Sequence, residues 1–404
     1  MPGVAEKRNI VLGVTGSIAA YKSAELARIL VSRGYSVRCV MSKSAQEFLG
    51  AMTLQSITGN LVATDFWETV EASSIEHIEL ADWADAIVVA PATADLIAKM
   101  AVGSAESPLL ATLLATKAPV LIAPAMNCNM YSHPATQYNI ELLRERGVYF
   151  IDPEEGALAC GWNGTGRLAD PRNIFYGVRR LVSKGDFAKR KVLVVCGPTR
   201  EAIDPVRFIS NRSSGKMGAA IAKEAYCRGA QVRVVHGPVR LSLPYAIPAE
   251  EVGSAVEMRD RVSQILYSDQ DAPDILIMAA AVADYRPEEQ SAQKLKRSKN
   301  DLDLKLVANP DILSEMADKR GDSKRPVLVG FAVETGDLET LLDQAREKLE
   351  KKGVDMIVGN FAEDALELDT NRVWMLDRTG RQEEVATTFK SKVANRILDS
   401  VLRL

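Results

Sequence analysis

Short apolar runs alternate with longer amphipathic stretches along most of the chain. Asn9–Val14 reads as a buried strand. A Gly turn follows, then helical spacing from about Ile18 to Arg33, with Gly34 just past the helix end. Ser36–Met41 is the next strand. A strand–helix–strand opening implies a parallel sheet with a right-handed crossover. Further strands are predicted at Ala86–Ala90, Pro119–Ala123 and Val148–Ile151. The stretch Val182–Lys191 is polar and basic and contains Gly185, so residues 182–190 are predicted to link a first domain (1–181) to a second (191–404). At Val192–Cys196 the pattern restarts, with a Gly-rich turn, a helix to about Arg228, Gly229 and a strand at Gln231–Val235. Strands at Ile275–Met278, Val327–Val329 and Met356–Val358 alternate with helical segments. Arg372–Leu376 and Glu383–Ala386 flank an Asp-Arg-Thr-Gly turn and predict a hairpin, and Lys390–Leu404 a closing helix. The fold class is therefore α/β, two tandem Rossmann-like domains, the second ending in a β-hairpin. The restart is one of architecture; no residue-level repeat is visible.

Composition narrows the classes. The 404 residues carry a formal net charge of −3, which gives no nucleic-acid or membrane signature. The five cysteines (Cys39, Cys128, Cys160, Cys196, Cys227) are scattered and form no C-x-x-C pair, which argues against a disulfide framework or a zinc site. The three histidines, His77, His133 and His236, suit no common metal motif. No apolar run approaches the roughly 18 residues of a membrane span, so the expected compartment is the cytoplasm.

Candidate chemistry lies where strands end. Gly13-Val-Thr-Gly16-Ser17-Ile18 joins the first strand to the first helix, where backbone N–H groups can meet a phosphate. The third glycine of G-x-G-x-x-G is missing and no acidic residue ends the second strand. This disfavours a dinucleotide, and with it a nicotinamide dehydrogenase, but leaves room for a mononucleotide such as FMN. Ala90-Pro-Ala-Thr93 brings a hydroxyl to a helix start, which a plain helix cap also explains. Pro124-Ala-Met-Asn127 brings an amide to a strand end, which an Asx-turn also explains. His77 lies in Ser-Ile-Glu-His-Ile-Glu-Leu. The stretch from Gly156 to Arg167 surrounds one thiol, Cys160, with glycine and small residues, as suits a mobile flap.

In the second half, Cys196-Gly-Pro-Thr199 leads through Asp204, Arg207 and Asn211 to Ser213-Ser-Gly215-Lys-Met-Gly218. The order is not that of a P-loop, yet Ser and Gly at a helix start can hold a phosphate. Ala279–Ala283 is a run of small residues allowing close ligand approach, and Asp284 is placed for a ribose hydroxyl or a divalent metal ion. Lys294 lies in a basic loop. Asn309-Pro310-Asp311-Ile312, Phe331 and the lysines Lys348 and Lys352, four apart on one helix face, complete the set.

The order GSIAAYK, HIEL, APATADLIAK, APAMN and ACG-x-x-G-x-GR resembles the flavin-dependent cysteine decarboxylases. The second half resembles the phosphopantothenate–cysteine ligases, and both together resemble the bifunctional decarboxylase/ligase family of coenzyme A biosynthesis. The resemblance implies a flavoprotein-type sheet in the first domain with FMN held near Gly16, Ser17, Ser42, Thr93 and Ser107. It implies that His77 acts near the flavin, Asn127 binds the substrate carboxylate and Cys160 protonates the late intermediate. In the second domain it implies CTP at Ser213, Gly215, Ala280, Asp284, Lys294, Asn309, Pro310, Asp311, Ile312, Phe331, Lys348 and Lys352. Arg207 would lie near phosphate and Asn211 at the acyl-cytidylate, with Lys294 on a loop that closes over it and Mg2+ (or Mn2+) at Asp284. The implied substrates are 4′-phosphopantothenate, cysteine and CTP. The implied assembly is a homo-oligomer, a dodecamer from trimeric first domains and dimeric second domains. A flavin-binding regulatory protein without catalysis is the competing class, opposed by the joint presence of His77, Asn127, Cys160, Asn211 and Lys294.

Overall fold

A computed structural model describes residues 8–66, 76–157, 161–267, 272–296, 302–365 and 367–404. The chain divides into two compact units, Met1–Lys184 and Gly185–Leu404. The boundary falls inside the polar stretch read as a linker. Phe187, its one large apolar residue, is fully buried in the core of the second unit, and its N–H donates to Arg228 O. Burial of that ring assigns the end of the stretch to the second unit.

The first unit runs β1 (Asn9–Val14), α1 (Tyr21–Ser32), β2 (Ser36–Met41), α2 (Ala51–Thr58), β3 (Val62–Ala63), α3 (Glu76–Trp83), β4 (Ala86–Ala92), α4 (Ala94–Val102), α5 (Pro108–Ala115), β5 (Val120–Pro124), α6 (Cys128–Ser132), α7 (Pro134–Glu145), β6 (Tyr149–Phe150), β7 (Glu154–Ala157), β8 (Asn163–Arg167) and α8 (Pro171–Leu181). The main sheet has the order β3-β2-β1-β4-β5-β6 and all its pairings are parallel. The helix expected from Ile18 begins with a 3-10 turn, Ile18–Ala20, before α1.

The second unit runs β9 (Lys191–Pro198), β10 (Arg200–Ala202), β11 (Phe208–Ser210), α9 (Lys216–Cys227), β12 (Gln231–His236), β13 (Ala249–Glu251), α10 (Ala255–Leu266), β14 (Ile275–Ala281), β15 (Tyr285–Pro287), β16 (Leu306–Ala308), α11 (Ile312–Arg320), β17 (Val327–Glu334), α12 (Leu338–Lys351), β18 (Met356–Phe361), α13 (Ala362–Ala365), β19 (Thr370–Asp377), β20 (Gln382–Phe389) and α14 (Lys390–Val401). Its sheet has the order β13-β12-β9-β14-β17-β18-β19-β20. Pairing is parallel as far as β18, and the hairpin β19–β20 adds antiparallel to it.

Both sheets are covered on both faces, which is why their central strands read as unbroken apolar runs. Ile10, Leu12 and Val14 pack on one face of β1 and Val11 on the other. Val192, Val194 and Cys196 do the same on β9, opposite Leu193 and Val195. Among the described residues no helix is long and apolar enough to cross a membrane.

Candidate active sites

In each main sheet the strand order reverses between two central strands, β1 and β4 in one and β9 and β14 in the other, and such a switch point opens a crevice at the carboxyl ends of the strands. A threonine closes the base of each crevice in the same way. Thr15, buried, receives the N–H of Thr93 on Oγ1 (3.1 Å) while its own N–H reaches Pro91 O (3.2 Å). Thr199, buried, receives the N–H of Ala283 on Oγ1 (3.1 Å) while its own N–H reaches Ala281 O (3.4 Å). The two halves thus carry equivalent threonines, in Gly13-Val-Thr15 and Gly197-Pro-Thr199, beyond the shared architecture read from the sequence.

At the first crevice the expected ligand-binding residues are helix N-caps. Ser17 Oγ accepts from Ala19 N (3.2 Å), Ser42 Oγ from Ala45 N (3.2 Å), Thr93 Oγ1 from Leu96 N (3.3 Å), Ser107 Oγ from Leu110 N (3.3 Å) and Asn127 Oδ1 from Asn129 N (2.8 Å). Ser17, Ser42, Thr93 and Asn127 follow β1, β2, β4 and β5, so parallel pairing puts them on one edge of the sheet. Each cap fixes its side chain and turns backbone N–H groups and positive helix-end potential toward that edge. A Cβ on Gly16 would lie 2.5 Å from Ser44 Oγ, so only glycine lets the Ser42–Ala45 turn close against the first loop. Uncharged donors at the ends of several helices suit a phosphate.

The hairpin β7–β8 docks beside Asn127. Met126 N donates to Gly166 O (2.9 Å), and a Cβ on Gly166 would come within 2.3 Å of Met126 O, so glycine is required for this approach. Cys160, on the connection between those strands, lies outside the described residues, as do Leu158 and Ala159. His77 is the second residue of α3, and its ring meets Phe66 edge-on, with centroids 5.6 Å apart at 83°.

The second crevice is a cleft of about 590 Å3. It gathers Asn211, Ser213, Gly215, Ala280, Asp284, Asn309, Pro310, Asp311, Ile312, Phe331, Lys348 and Lys352 from five separate stretches of sequence. Asn211 Nδ2 donates to Val282 O (2.9 Å) and Asn309 Nδ2 to Ala283 O (2.8 Å), so two amides brace the small-residue run after β14. Gly215, at φ +69°, turns the chain into α9 in a conformation that favours glycine. The two lysines are held by carboxylates, Lys348 by Glu334 (2.7 Å) and Lys352 by Asp311 (2.9 Å). Burial alone would raise the Asp311 pKa, but the Lys352 ammonium and the N–H of Ser314 outweigh it and hold the carboxyl below its usual value.

Arg207 and Lys294 do not line this cleft. Arg207 forks onto Asp204 (Nη2–Oδ2, 2.6 Å) and also donates to Leu295 O (2.7 Å). Asp284 is exposed, and among the described residues no group of three or more His, Cys, Asp or Glu could hold a metal ion. A divalent ion at Asp284 would therefore need oxygens from its ligand.

The cleft also contains residues the sequence did not single out. Asn360 and Asn371 are buried in its wall, and Lys216 and Lys390 line it. Lys390 donates to the carbonyls of Leu368 and Thr370, and burial lowers its pKa. Lys216 was visible in the Gly-Lys pair; Lys390 sits among polar residues at a helix start, and nothing local distinguishes it from a surface lysine.

The flavoprotein family model matches residues 2–183, and that of the DNA/pantothenate metabolism flavoprotein C-terminal domain (DFP) matches residues 187–404. The coenzyme A biosynthesis bifunctional protein CoaBC of Bacillus subtilis (strain 168) is 42% identical over 405 residues, 98% of this chain and 97% of that protein. The CoaBC protein of Vibrio cholerae is 42% identical over 396 residues, 97% of each. A crystal structure of the C-terminal domain of a CoaBC protein is 35% identical, covering 55% of this chain and 97% of that one, with a TM-score of 0.45. Matched in both halves and over nearly its whole length, the chain belongs to the family of bifunctional coenzyme A biosynthesis enzymes, which join a flavoprotein decarboxylase domain to a DFP ligase domain.

Proposed function

We propose that the second unit joins 4′-phosphopantothenate to cysteine at the expense of CTP, and that the first unit then decarboxylates the product to 4′-phosphopantetheine. The observation that carries this reading is the cleft of the second unit, whose walls join Asn211 and a helix N-terminus to two carboxylate-held lysines.

In the ligase step an anionic carboxylate attacks the α-phosphorus of a triphosphate. A phosphorus–oxygen bond forms, pyrophosphate leaves, and the amine of cysteine then displaces CMP from the acyl-cytidylate to give the amide. Bringing two anions together is unfavourable unless cations are close. One opposite charge at about 4 Å is worth roughly 4 kcal/mol at an effective dielectric of 20. Lys348 and Lys352 supply such charge, exchanging Glu334 and Asp311 for phosphate oxygens as CTP enters. Asn211, held by Val282 O, stands at the acyl-cytidylate. Lys294 closes over the intermediate and Arg207 lies near the substrate phosphate. Mg2+ would be held by Asp284 and phosphate oxygens, neutralising charge that develops on the leaving pyrophosphate.

In the decarboxylation FMN, when bound, supplies the reversible oxidation of the substrate's CH2–SH carbon that makes an electron sink for the departing CO2. The capped helix ends at Ser17, Ser42, Thr93 and Ser107 hold its phosphate and ring edge. Asn127 donates to the substrate carboxylate and orients it, His77 acts near the reacting thiol, and Cys160 returns a proton late in the reaction. The same reading includes a homo-oligomer, trimeric through the first unit and dimeric through the second. The exposed side chains of Ile18, Tyr21 and Met52, and of Val206, Phe208 and Tyr285, are the apolar surface such contacts would cover.

Three measurements test this. The purified protein is expected to be yellow, to release CO2 from 4′-phosphopantothenoylcysteine, and to form pyrophosphate from CTP only when 4′-phosphopantothenate is present. Asn211→Asp, which puts a carboxylate against incoming phosphate, is expected to lower amide formation by roughly a hundredfold or more and leave decarboxylation unchanged. Equal loss of both activities would refute the assignment of Asn211.

A further inference from the structure

Asp204 lies on the turn between β10 and β11, and its side chain is fully enclosed. It receives donors from two directions. Oδ1 accepts from the backbone N–H of Val206 and of Arg207, both at 2.8 Å. Oδ2 accepts from Arg207 Nε (3.0 Å), from Arg207 Nη2 (2.6 Å) and from the backbone N–H of Leu295 (3.1 Å). The same Arg207 Nη2 donates to Leu295 O at 2.7 Å. Both peptide groups of Leu295 are therefore gripped by one ion pair, some ninety positions away in sequence. Ser291 N adds a further tie, to Ile203 O (3.0 Å). A buried carboxylate demands this many donors, and the Arg207 guanidinium holds it ionised, well below the usual carboxylate range.

We infer that Asp204 is a positioning residue of the ligase reaction: with Arg207 it clamps the Leu295 backbone and so sets where the adjacent Lys294 stands. The inference rests on the reading of Lys294 as a participant in ligation, and it adds to Arg207 a role besides contact with phosphate. Lys294 stands outside the cleft in this structure, so it must swing in about the pinned residue 295, and the clamp sets where that swing ends. Loss of the clamp allows Lys294 to drift, and misplacement by about 1 Å costs up to a hundredfold in rate.

Asp204→Asn preserves shape but turns an NH2 or a weaker oxygen toward Arg207 and Leu295. In the full-length protein it is expected to lower ligase kcat by roughly 10- to 100-fold. The decarboxylation rate should stay within about twofold, and trypsin should cut faster after Lys294. Should Asp204→Asn fail to fold, Arg207→Lys serves instead: one ammonium cannot reach Asp204 and Leu295 O together, so kcat falls, whereas a direct phosphate contact alone would raise the KM for 4′-phosphopantothenate and spare kcat. In a Lys294→Gln background Asp204→Asn should add less than about twofold, because both changes act through one ammonium. Unchanged kcat in Asp204→Asn and Arg207→Lys, or effects that multiply with Lys294→Gln, would overturn the clamp. If Lys294→Gln alone ligates normally, the reading of Lys294 fails and the inference with it.

Discussion

The first crevice presents uncharged groups, hydroxyls and an amide that cap helices; the second presents lysines already paired to carboxylates. At the first edge Ser17, Ser42, Thr93 and Asn127 are fixed by backbone N–H groups, so little has to move for an anion to be held. In the second cleft Lys348 and Lys352 are held by Glu334 and Asp311, so phosphate would compete with those carboxylates for the ammonium groups. Preorganised caps suit a resident cofactor, because the cost of ordering was met in folding. Exchangeable ion pairs suit a nucleotide that must arrive, react and depart in every turnover. Beneath this contrast lies a shared base, the threonine that ties the two central strands of each sheet.

That shared base supplies the largest expected effect. Thr15→Val and Thr199→Val each leave a strand-end N–H, of Thr93 or of Ala283, without its acceptor. Each should cost about 1–3 kcal/mol of stability. For units of this size that corresponds to a drop in Tm of roughly 2–4 °C per kcal/mol, readable by calorimetry. Thr15→Val should impair flavin retention and decarboxylation, and Thr199→Val ligation. If each variant damaged both activities alike, the two crevices would not be independent.

A smaller effect separates the two modes of binding. Raising ionic strength from 0.1 to 1 M shortens the screening length from about 10 to 3 Å. The KM for CTP should rise several-fold, while flavin retention, followed by absorbance after gel filtration, should change little. Equal salt sensitivity would break the contrast between caps and ion pairs.

The smallest effect concerns the thiols. Burial pushes the Cys39 and Cys196 thiols up to about 12, so neither presents thiolate at neutral pH. Both should resist a disulfide reagent in the folded protein and react on unfolding, whereas the half-buried Cys128 beside Asn127 should react in the native state, more slowly once flavin and substrate fill the first crevice. Rapid native reaction of Cys196 would show that the second core opens.

Much of the fold was legible because parallel strands covered on both faces must be apolar throughout. The runs at Asn9–Val14 and Val192–Cys196 could hardly be anything else, and glycines marked their ends. The ends of elements were less legible. A 3-10 turn precedes α1, and Phe187 belongs to a core that no neighbour in sequence announces. In the candidate sites, residues inside glycine- and alanine-rich turns were readable because such turns bring backbone and ligand together. Asn360, Asn371 and Lys390 were not singled out, since their place in the cleft depends on the path of distant strands.

By itself, then, the sequence determined two tandem α/β units, the family, and the chemistry available at the strand ends, because periodicity and turn composition are local properties. Tertiary structure alone decided that Thr15 and Thr199 are counterparts, that Lys348 and Lys352 start out paired, and that Asp204 grips Leu295 across some ninety residues. Each of those depends on which groups burial brings within hydrogen-bond reach, and the fold settles that distance independently of spacing along the chain.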